Sequence, residues 1–112
     1  MTLPAETIAS LNERGIGHCY DRHGNPIGMG DMLNLKADGD YFRVALDQID
    51  DAQISTVWLG VDQNFGSGSR LQLFETMISG GDHGGVIERY ATEEEAVAGH
   101  RKIVERLRSS LR

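Results

Sequence analysis

The sequence predicts an α+β fold: an antiparallel β-meander of about four strands, a long C-terminal helix packed across it and a short N-terminal helix. Residues 53–78 contain two runs rich in β-branched and aromatic residues around eight loop-forming ones, which is typical of a hairpin. Residues 92–111 combine a capping motif with one apolar helical face. The 112 residues are expected to form one domain, with residues 1–19 at its periphery.

Both strands of the central hairpin alternate, and both of their faces are apolar. The first strand directs Ile54, Thr56 and Trp58 to one face and Val57, Leu59 and Val61 to the other. On the second strand, one face carries Leu71, Leu73 and Met77, and the other carries Phe74, Thr76 and Ile78. Because a half-exposed hairpin is apolar on one side only, both faces are expected to be covered. One helix covers one face and the N-terminal helix is too polar for the other, so we expect a homodimer or larger homo-oligomer.

Short elements are predicted before the hairpin. A helix over 2–14 is expected, because a proline suits its first turn and Gly15 a left-handed cap. The run 24–26 is made of turn-forming residues. Residues 31–37 predict one or two helical turns, which the residues 38–40 break.

Residues 41–48 predict a half-exposed edge strand. One face of this strand is expected to carry Phe42, Val44 and Leu46, and the other face Tyr41, Arg43 and Asp47. After the hairpin, a glycine-rich loop over 79–85 leads into a fourth strand over 86–91. Symmetric closure of that loop pairs Ile78 with Val86 and Glu75 with Arg89.

The C-terminal helix has the strongest local signals. Thr92 and Glu95 form a capping box, in which the hydroxyl accepts from the third helical amide and the carboxylate reaches back. Its predicted apolar face consists of Ala96, His100, Ile103, Val104, Leu107 and Leu111. Gly99 beside this face predicts a close approach to the sheet, since a glycine inside a helix otherwise costs about 1 kcal/mol.

The charge distribution limits the classes of partner. A net charge of −6 argues against a general nucleic-acid binder. Residues 98–112 still carry five basic side chains against one glutamate. This basic end either attracts a small anion or an acidic face of another copy, or it only complements the helix dipole.

Composition also predicts the compartment. No apolar run reaches membrane-spanning length and no basic leader precedes an apolar stretch, so neither a membrane span nor a secretory signal is expected. The single cysteine, Cys19, fits a reducing cytoplasm.

The loop between the central strands, 62–69, is a candidate binding element. It lacks the Lys–Ser/Thr ending of a phosphate loop and joins two strands instead of opening a helix. Gly66 and Gly68 nevertheless allow backbone amides to approach a ligand, and Phe65 offers a stacking surface for a base. The alternative is an ordinary hairpin loop whose Phe65 packs into the core.

Two titratable residues stand at apolar positions. Glu75 needs a partner on its strand face, and Arg89 supplies it, either as a structural ion pair or in a ligand pocket with Arg70. His100 on the apolar helix face is either a satisfied core histidine or a ligand contact or general base.

Chemistry beyond binding is not predicted. No nucleophile setting and no paired-carboxylate motif is recognisable, so we expect a protein that is not an enzyme. His18, Cys19 and His23 match no established zinc spacing, so no metal or other cofactor is expected.

Three phrases carry a resemblance to known proteins. They are Ser55–Asp62 with Phe65, Phe74–Ile78, and Arg89–Ala96 followed by Ala98, Gly99 and His100. Across roughly residues 20–105 the chain resembles a group of small phage and prophage proteins, and it is similar to the Thoeris anti-defence sponges. Those proteins sequester, without cleaving it, the cyclic ADP-ribose-type signal that a bacterial TIR-domain enzyme makes. The resemblance implies an antiparallel sheet with C-terminal helices, a dimer or larger assembly, and nucleotide pockets near the subunit interface.

The chemistry of the ligand that such a sponge binds points to candidate residues in this chain. Cations for a pyrophosphate are expected from Arg70, Arg89 and Arg101, and an adenine platform from Phe65 or Tyr90. Polar groups for ribose are expected from Asp62, Asn64, Glu75 or Thr76, and His100 is the further candidate contact. Two alternatives stay open: an anti-CRISPR-like inhibitor that binds a host defence protein through its acidic surface, and a small nucleotide-cleaving enzyme that uses Glu75 and His100.

Overall fold

The computed structural model describes residues 3–14, 19–62, 70–81 and 84–110. In chain order its elements are α1 (Ala5–Arg14), α2 (Met29–Lys36), α3 (Gly39–Phe42), β1 (Arg43–Ile49), β2 (Ala52–Trp58), β3 (Phe74–Ser79), β4 (Gly85–Tyr90) and α4 (Glu93–Ser110). The strands of this described part form one antiparallel sheet in the order β1-β2-β3-β4. The predicted α+β meander, with its short N-terminal and long C-terminal helices, is confirmed. None of the described helices has both the length and the hydrophobicity of a bilayer-spanning segment.

One face of the sheet, which we call the inner face, packs against α4. The central strands bury on it Ile54, Thr56, Trp58, Phe74, Thr76 and Ile78, as their alternation predicts. Against them α4 buries Ala96, His100, Ile103, Val104 and Leu107. Each large apolar side chain removed from water contributes about 1.5–3 kcal/mol, so this packing stabilises α4 far more than its own propensity does. Leu111, which was assigned to the same face, lies outside the described residues.

Helix α4 begins with the predicted capping box. The amide of Glu95 donates to Thr92 Oγ1 at 3.2 Å, and the Thr92 hydroxyl donates in turn to Glu95 Oε1 at 3.2 Å. The predicted close approach at Gly99 is also present, since a Cβ atom added there would collide with the ring of Tyr90. These features join α4 to the end and the edge of β4.

The segment 19–42 closes the end of the inner face at Trp58. The indole Nε1 of Trp58 donates to the backbone oxygen of Tyr20 at 2.9 Å, and Tyr41 packs edge-on against the indole with the ring centroids 5.1 Å apart. Helix α1 packs on α2 and not on the sheet. The joint between these two helices is polar: the amide of Asp31 donates to Asn12 Oδ1 at 2.9 Å.

Strand β1 corrects two predictions. The predicted break is present, since α2 ends at Lys36, but Asp38 also caps a new helix: its carboxylate accepts from the amide of Asp40 at 3.0 Å and α3 follows. The strand therefore begins at Arg43. A bulge between Arg43 and Ala45 then shifts the alternation, so the predicted sides are wrong for Leu46, which faces solvent, and for Asp47, which faces α4.

The β3–β4 pairing is correct in one half and wrong in the other. Glu75 stands opposite Arg89, as predicted. A bulge between Thr76 and Met77 moves the rest of the ladder by one residue, so Val86 pairs with Met77 and not with Ile78. The prediction counted equal numbers of residues outward from the loop on both strands. A bulge adds a residue to one strand only, so the count fails beyond it.

Candidate functional site

A groove of about 570 Å³ surrounds the first turn of α4. Its lining residues are Arg22, His23, Gly24, Arg70, Leu71, Ala91, Thr92, Glu93 and Glu94. A shallower depression of about 450 Å³ shares His23, Glu93 and Glu94 with it and continues along α4 to Val97, Ala98 and Arg101. We call the two together the helix-start groove. It brings together Arg70 and Arg101 from the predicted cations. It adds Arg22, which the sequence analysis did not consider, and His23, which it weighed only as a metal ligand.

Arg22 is the most firmly held cation of the helix-start groove. Its Nε donates to Glu93 Oε1 at 2.7 Å, and its Nη1 donates to the backbone oxygen of Tyr41 at 3.0 Å. The guanidinium carbon also lies 5.4 Å from the centre of the Tyr41 ring. The hydrogen bond from Arg22 lowers the pKa of Glu93, and the same bond raises the pKa of Arg22. The pair therefore stays charged at neutral pH and fixes the position of a guanidinium, which offers five N–H donors in total.

Arg70 approaches the same helix from the other side of the groove. Its Nη2 lies 2.6 Å from Glu95 Oε1, and this bond is the main reason that the pKa of Glu95 is lowered. The side chain of Arg70 is largely exposed, so the ion pair contributes little to stability but keeps a cation at the groove. Arg101 is exposed two turns further along α4.

The ends of the central loop lie next to Arg70. Asp62 is buried, and its Oδ1 accepts from the amide of Gln72 at 3.0 Å, which ties the chain before the loop to the chain after it. Its carboxylate is thus part of the loop's anchor, whereas the sequence expected it to face a ligand. The candidates Asn64 and Phe65 lie outside the described residues.

Glu75 and Arg89 lie on the opposite face of the sheet, which we call the outer face. Arg89 Nε donates to Glu75 Oε2 at 3.1 Å, so the predicted ion pair exists. Neither residue lines the helix-start groove. The pocket that would join this pair to Arg70 is not seen among the described residues.

Thr76 and His100 belong to a buried polar network between the sheet and α4. Nδ1 of His100 is 2.7 Å from Thr56 Oγ1, and Nε2 is 2.7 Å from Asp47 Oδ2. The Thr56 hydroxyl also shares a short hydrogen bond with the hydroxyl of Thr76. His100 is therefore a core histidine with both ring nitrogens bonded, the first of the two readings that its position allowed.

The hydrogen-bonded chain Asp47–His100–Thr56 has the acid–base–hydroxyl order of a hydrolytic triad. In it, however, solvent reaches the acid and not the hydroxyl that would be the nucleophile. The threonine hydroxyl is fully buried, and only the carboxylate end meets solvent, with the Asp47 side chain 40% exposed. A substrate carbonyl cannot reach a nucleophile in that position. Glu75 and His100 lie on opposite faces of the sheet, so they cannot act as a pair on one substrate atom.

Tyr90 lies between the network and the surface. Its hydroxyl is buried and has no hydrogen-bond partner among the described residues. Burial raises the pKa of the phenol, and the nearby Thr76 hydroxyl partly offsets this. The ring lines a separate depression of about 380 Å³ between β4 and α4, together with Lys102 and Arg106. It is thus placed away from the helix-start groove.

From the sequence, no site or network role was predicted for Arg22, Asp47 or Thr56, and His23 was weighed only as a metal ligand. Arg22 and Glu93 are 71 positions apart, so no local pattern joins them. Thr56 had a usable signal, because it alternates onto the same strand face as two buried apolar residues and a hydroxyl there needs a partner.

Comparisons with other proteins add no relative. No family model, curated protein or solved structure matches the chain. Within the described ranges, no three histidine, cysteine or acidic residues are placed to hold a metal ion, and His18 lies outside those ranges. The resemblance to the signal sponges therefore stays a prediction, and the helix-start groove has to be interpreted from its own chemistry.

Proposed function

We propose that the chain is a phage-encoded immune-evasion protein of the infected host's cytoplasm that binds a cyclic ADP-ribose-type or cyclic nucleotide signal and sequesters it without cleavage. The observation that carries this proposal is the helix-start groove. There, Arg22, His23, Arg70 and Arg101 converge from distant parts of a chain whose net charge is −6. A cluster of cations on an acidic protein favours a compact anionic ligand over an extended polyanion.

The dimensions of the groove support a nucleotide. Small-molecule sites commonly enclose about 300–1,000 Å³, and its deeper part measures about 570 Å³. Leu71 and Ala91 contribute apolar surface to the lining of this part, which also contains two arginines. A base on that apolar surface with phosphates toward Arg70 is the arrangement that the lining supports.

The three glutamates in the first turn of α4 are expected to weaken the binding of an anion in this groove by electrostatic repulsion. Glu93 and Glu95 already neutralise Arg22 and Arg70, so a phosphate has to share those arginines with them. Glu94 is exposed. We expect Glu94→Gln to tighten binding a few-fold, because a unit charge at short range in water is worth about 1 kcal/mol.

Retention without cleavage is supported by the chemistry of the groove residues. The Thr92 hydroxyl is engaged in the capping box, and the His100 network directs its threonine hydroxyls into the core. The homodimer or larger assembly predicted from the outer face belongs to the same proposal. The host-protein inhibitor stays as an alternative, and so does a nucleotide-cleaving enzyme, although Glu75 and His100 cannot act in it as a pair; one experiment separates all three functions.

The test is a thermal-melt screen of the purified protein against cyclic nucleotides and cyclic ADP-ribose isomers, with each positive ligand recovered and chromatographed. A ligand at a hundredfold over its dissociation constant stabilises the folded state by about 2.7 kcal/mol, a readily measured shift. We expect a shift with intact ligand. An altered ligand would establish the enzyme, and no shift across the panel would favour the inhibitor.

Substitutions of single arginines then show which surface binds the ligand. Arg70→Ala and Arg101→Ala are each expected to weaken binding at least tenfold, which corresponds to about 1.4 kcal/mol. Arg108→Ala removes the same charge from the far end of α4 and should leave affinity unchanged. A loss of binding in Arg89→Ala, with Arg70→Ala unaffected, would move the site to the outer face.

A further inference from the structure

The outer face of the sheet has an apolar row between two polar rows. The strand register places Leu46, Ser55 and Met77 side by side in the central row. On one side lies a charged row of Arg43, Val57, Glu75 and Arg89. On the other lies an amide row of Gln48, Gln53 and Ser79.

The central row is not covered within one copy of the described chain. Three large apolar side chains of the described residues are substantially exposed: Leu46 at 45%, Met77 at 39% and Leu33 at 39%. Two of these three share the central row. Helix α4 lies on the inner face and α1 packs on α2, so neither of these two helices shields them. Single exposed apolar residues are ordinary, but two of them in register on either side of Ser55 form an apolar patch on the sheet face, which indicates a docking surface.

We propose that the outer face docks on the outer face of a second copy, about a twofold axis that runs along the central row. With this axis, each strand lies over the same strand of the second copy, and the two run in opposite directions. The central row then packs on itself, with Leu46 against Leu46 and Met77 against Met77 of the second copy. The charged row of each copy lies over the amide row of the other.

Charge complementarity selects this axis. An axis parallel to the strands would place Arg43 over Arg89 of the second copy, which opposes like charges in a contact that excludes water. With the axis along the row, Arg43 faces Gln48 of the second copy, and Arg89 on β4 faces no cation among the described residues. Gln48 uses its Nε2 to donate to the backbone oxygen of Asp50 at 2.7 Å, which leaves its amide oxygen directed to other donors.

The acidic turn between β1 and β2 strengthens the same choice. Asp50 and Asp51 are exposed at the end of the amide row. Reversal of the strands brings this turn next to Arg43 of the second copy. Each dimer thus gains two symmetric pairings between acidic turn and arginine, and no like charges are opposed.

The size of the patch sets the expected strength. Strands lie about 4.8 Å apart and rise about 3.4 Å per residue, so four strands of seven residues cover roughly 450 Å² per copy. A standard interface covers about 800 Å² per partner. We therefore expect a dimer that dissociates on dilution. The inference does not depend on the proposed ligand, because no residue of the three rows lines the helix-start groove.

The first test is the molar mass by light scattering at about 100 μM and on dilution. We expect twice the chain mass of 12.3 kDa for the unmodified protein. Leu46→Glu and Met77→Glu should give monomers whose thermal melts match that of the unmodified protein at a dilution where it is also monomeric, because both positions are exposed. Leu33→Glu, which has the same exposure as Met77 but lies on α2, is the matched control and should stay dimeric. A monomeric unmodified protein, or a dimer broken only by Leu33→Glu, would overturn the proposal.

The second test locates the axis. Ser55 lies in the middle of the central row, so Ser55→Cys should give a covalent dimer with a short bismaleimide. A direct disulfide is not expected, since packed sheets are about 10 Å apart and a disulfide needs Cα atoms within about 7 Å. Ser109→Cys at the exposed end of α4 is the control, and the buried Cys19 should not react. Cross-linking at Ser109 without cross-linking at Ser55 would rule out this face.

Discussion

At the scale of single residues, His100 shows how one buried ring joins three elements. Its two nitrogens reach Thr56 on β2 and Asp47 on β1 from a position on α4, each at 2.7 Å. A buried polar group without a partner costs about 1–3 kcal/mol, so the network stabilises the fold mainly because every member is paired.

Thr56→Val is expected to lower the free energy of unfolding by about 1–3 kcal/mol, because a near-isosteric methyl leaves Nδ1 of His100 and the Thr76 hydroxyl without their partner. Urea unfolding monitored by Trp58 fluorescence measures it. Thr7→Val on the exposed surface of α1 is the control and should change stability by less than about 0.5 kcal/mol. Equal effects for the two variants would show that the buried network contributes nothing specific.

At the scale of elements, helix α4 and strand β1 differ in how far local sequence determines them. The capping box, the acidic first turn and the apolar stripe of α4 all lie within one continuous segment, and each is present in the structure. Strand β1 also has a clear alternation, but the bulge between Arg43 and Ala45 changes which residues face the core. Alternation predicts that two faces exist, whereas the register against β2 decides which face is buried.

Gly99→Ala tests the contact between α4 and β4. In an isolated helix this change is favourable by about 1 kcal/mol, but here the added methyl meets the Tyr90 ring, and overpacking costs about 1–3 kcal/mol. We expect a net decrease in the melting temperature. Gly39→Ala in α3 is the control, since an added Cβ there meets nothing within 4 Å, and its melting temperature should not fall. A stabilised Gly99→Ala protein would contradict the close packing.

At the scale of the whole molecule, the ion pair of Arg22 and Glu93 joins the N-terminal half of the chain to its last helix. The pKa of Glu93 is lowered in the folded state, chiefly by the Arg22 hydrogen bond. A carboxyl whose pKa is lowered by folding stabilises the protein above its unfolded pKa, and that stabilisation is lost as the pH falls through the folded pKa. The link between the two halves is therefore weakened by acid.

Arg22→Gln is expected to lower the melting temperature at about pH 7 and to differ less from the unmodified protein as the pH falls through the lowered pKa of Glu93, where the carboxyl is protonated and the ion pair is lost. Melts across this range measure the effect. Arg70→Gln is the matched control: it removes a similar pair with Glu95, but that pair is more exposed and should matter less at every pH. A difference that does not change with pH would exclude the ion pair as the cause.

The sequence by itself determined the fold class, the start of α4, which residues of the central strands share a face and the pairing of Glu75 with Arg89. Each of these follows from periodicity, capping or register within a short stretch of chain. Only the tertiary structure decided that Arg22 meets Glu93, that Asp47 and not Leu46 turns toward α4, and that Arg70 and Arg101 border one groove while Arg89 lies on the outer face. Those outcomes depend on bulges and on contacts between distant segments. The free energy of each such contact depends on where the partner residue lies in the folded chain, and a local sequence pattern does not contain that position.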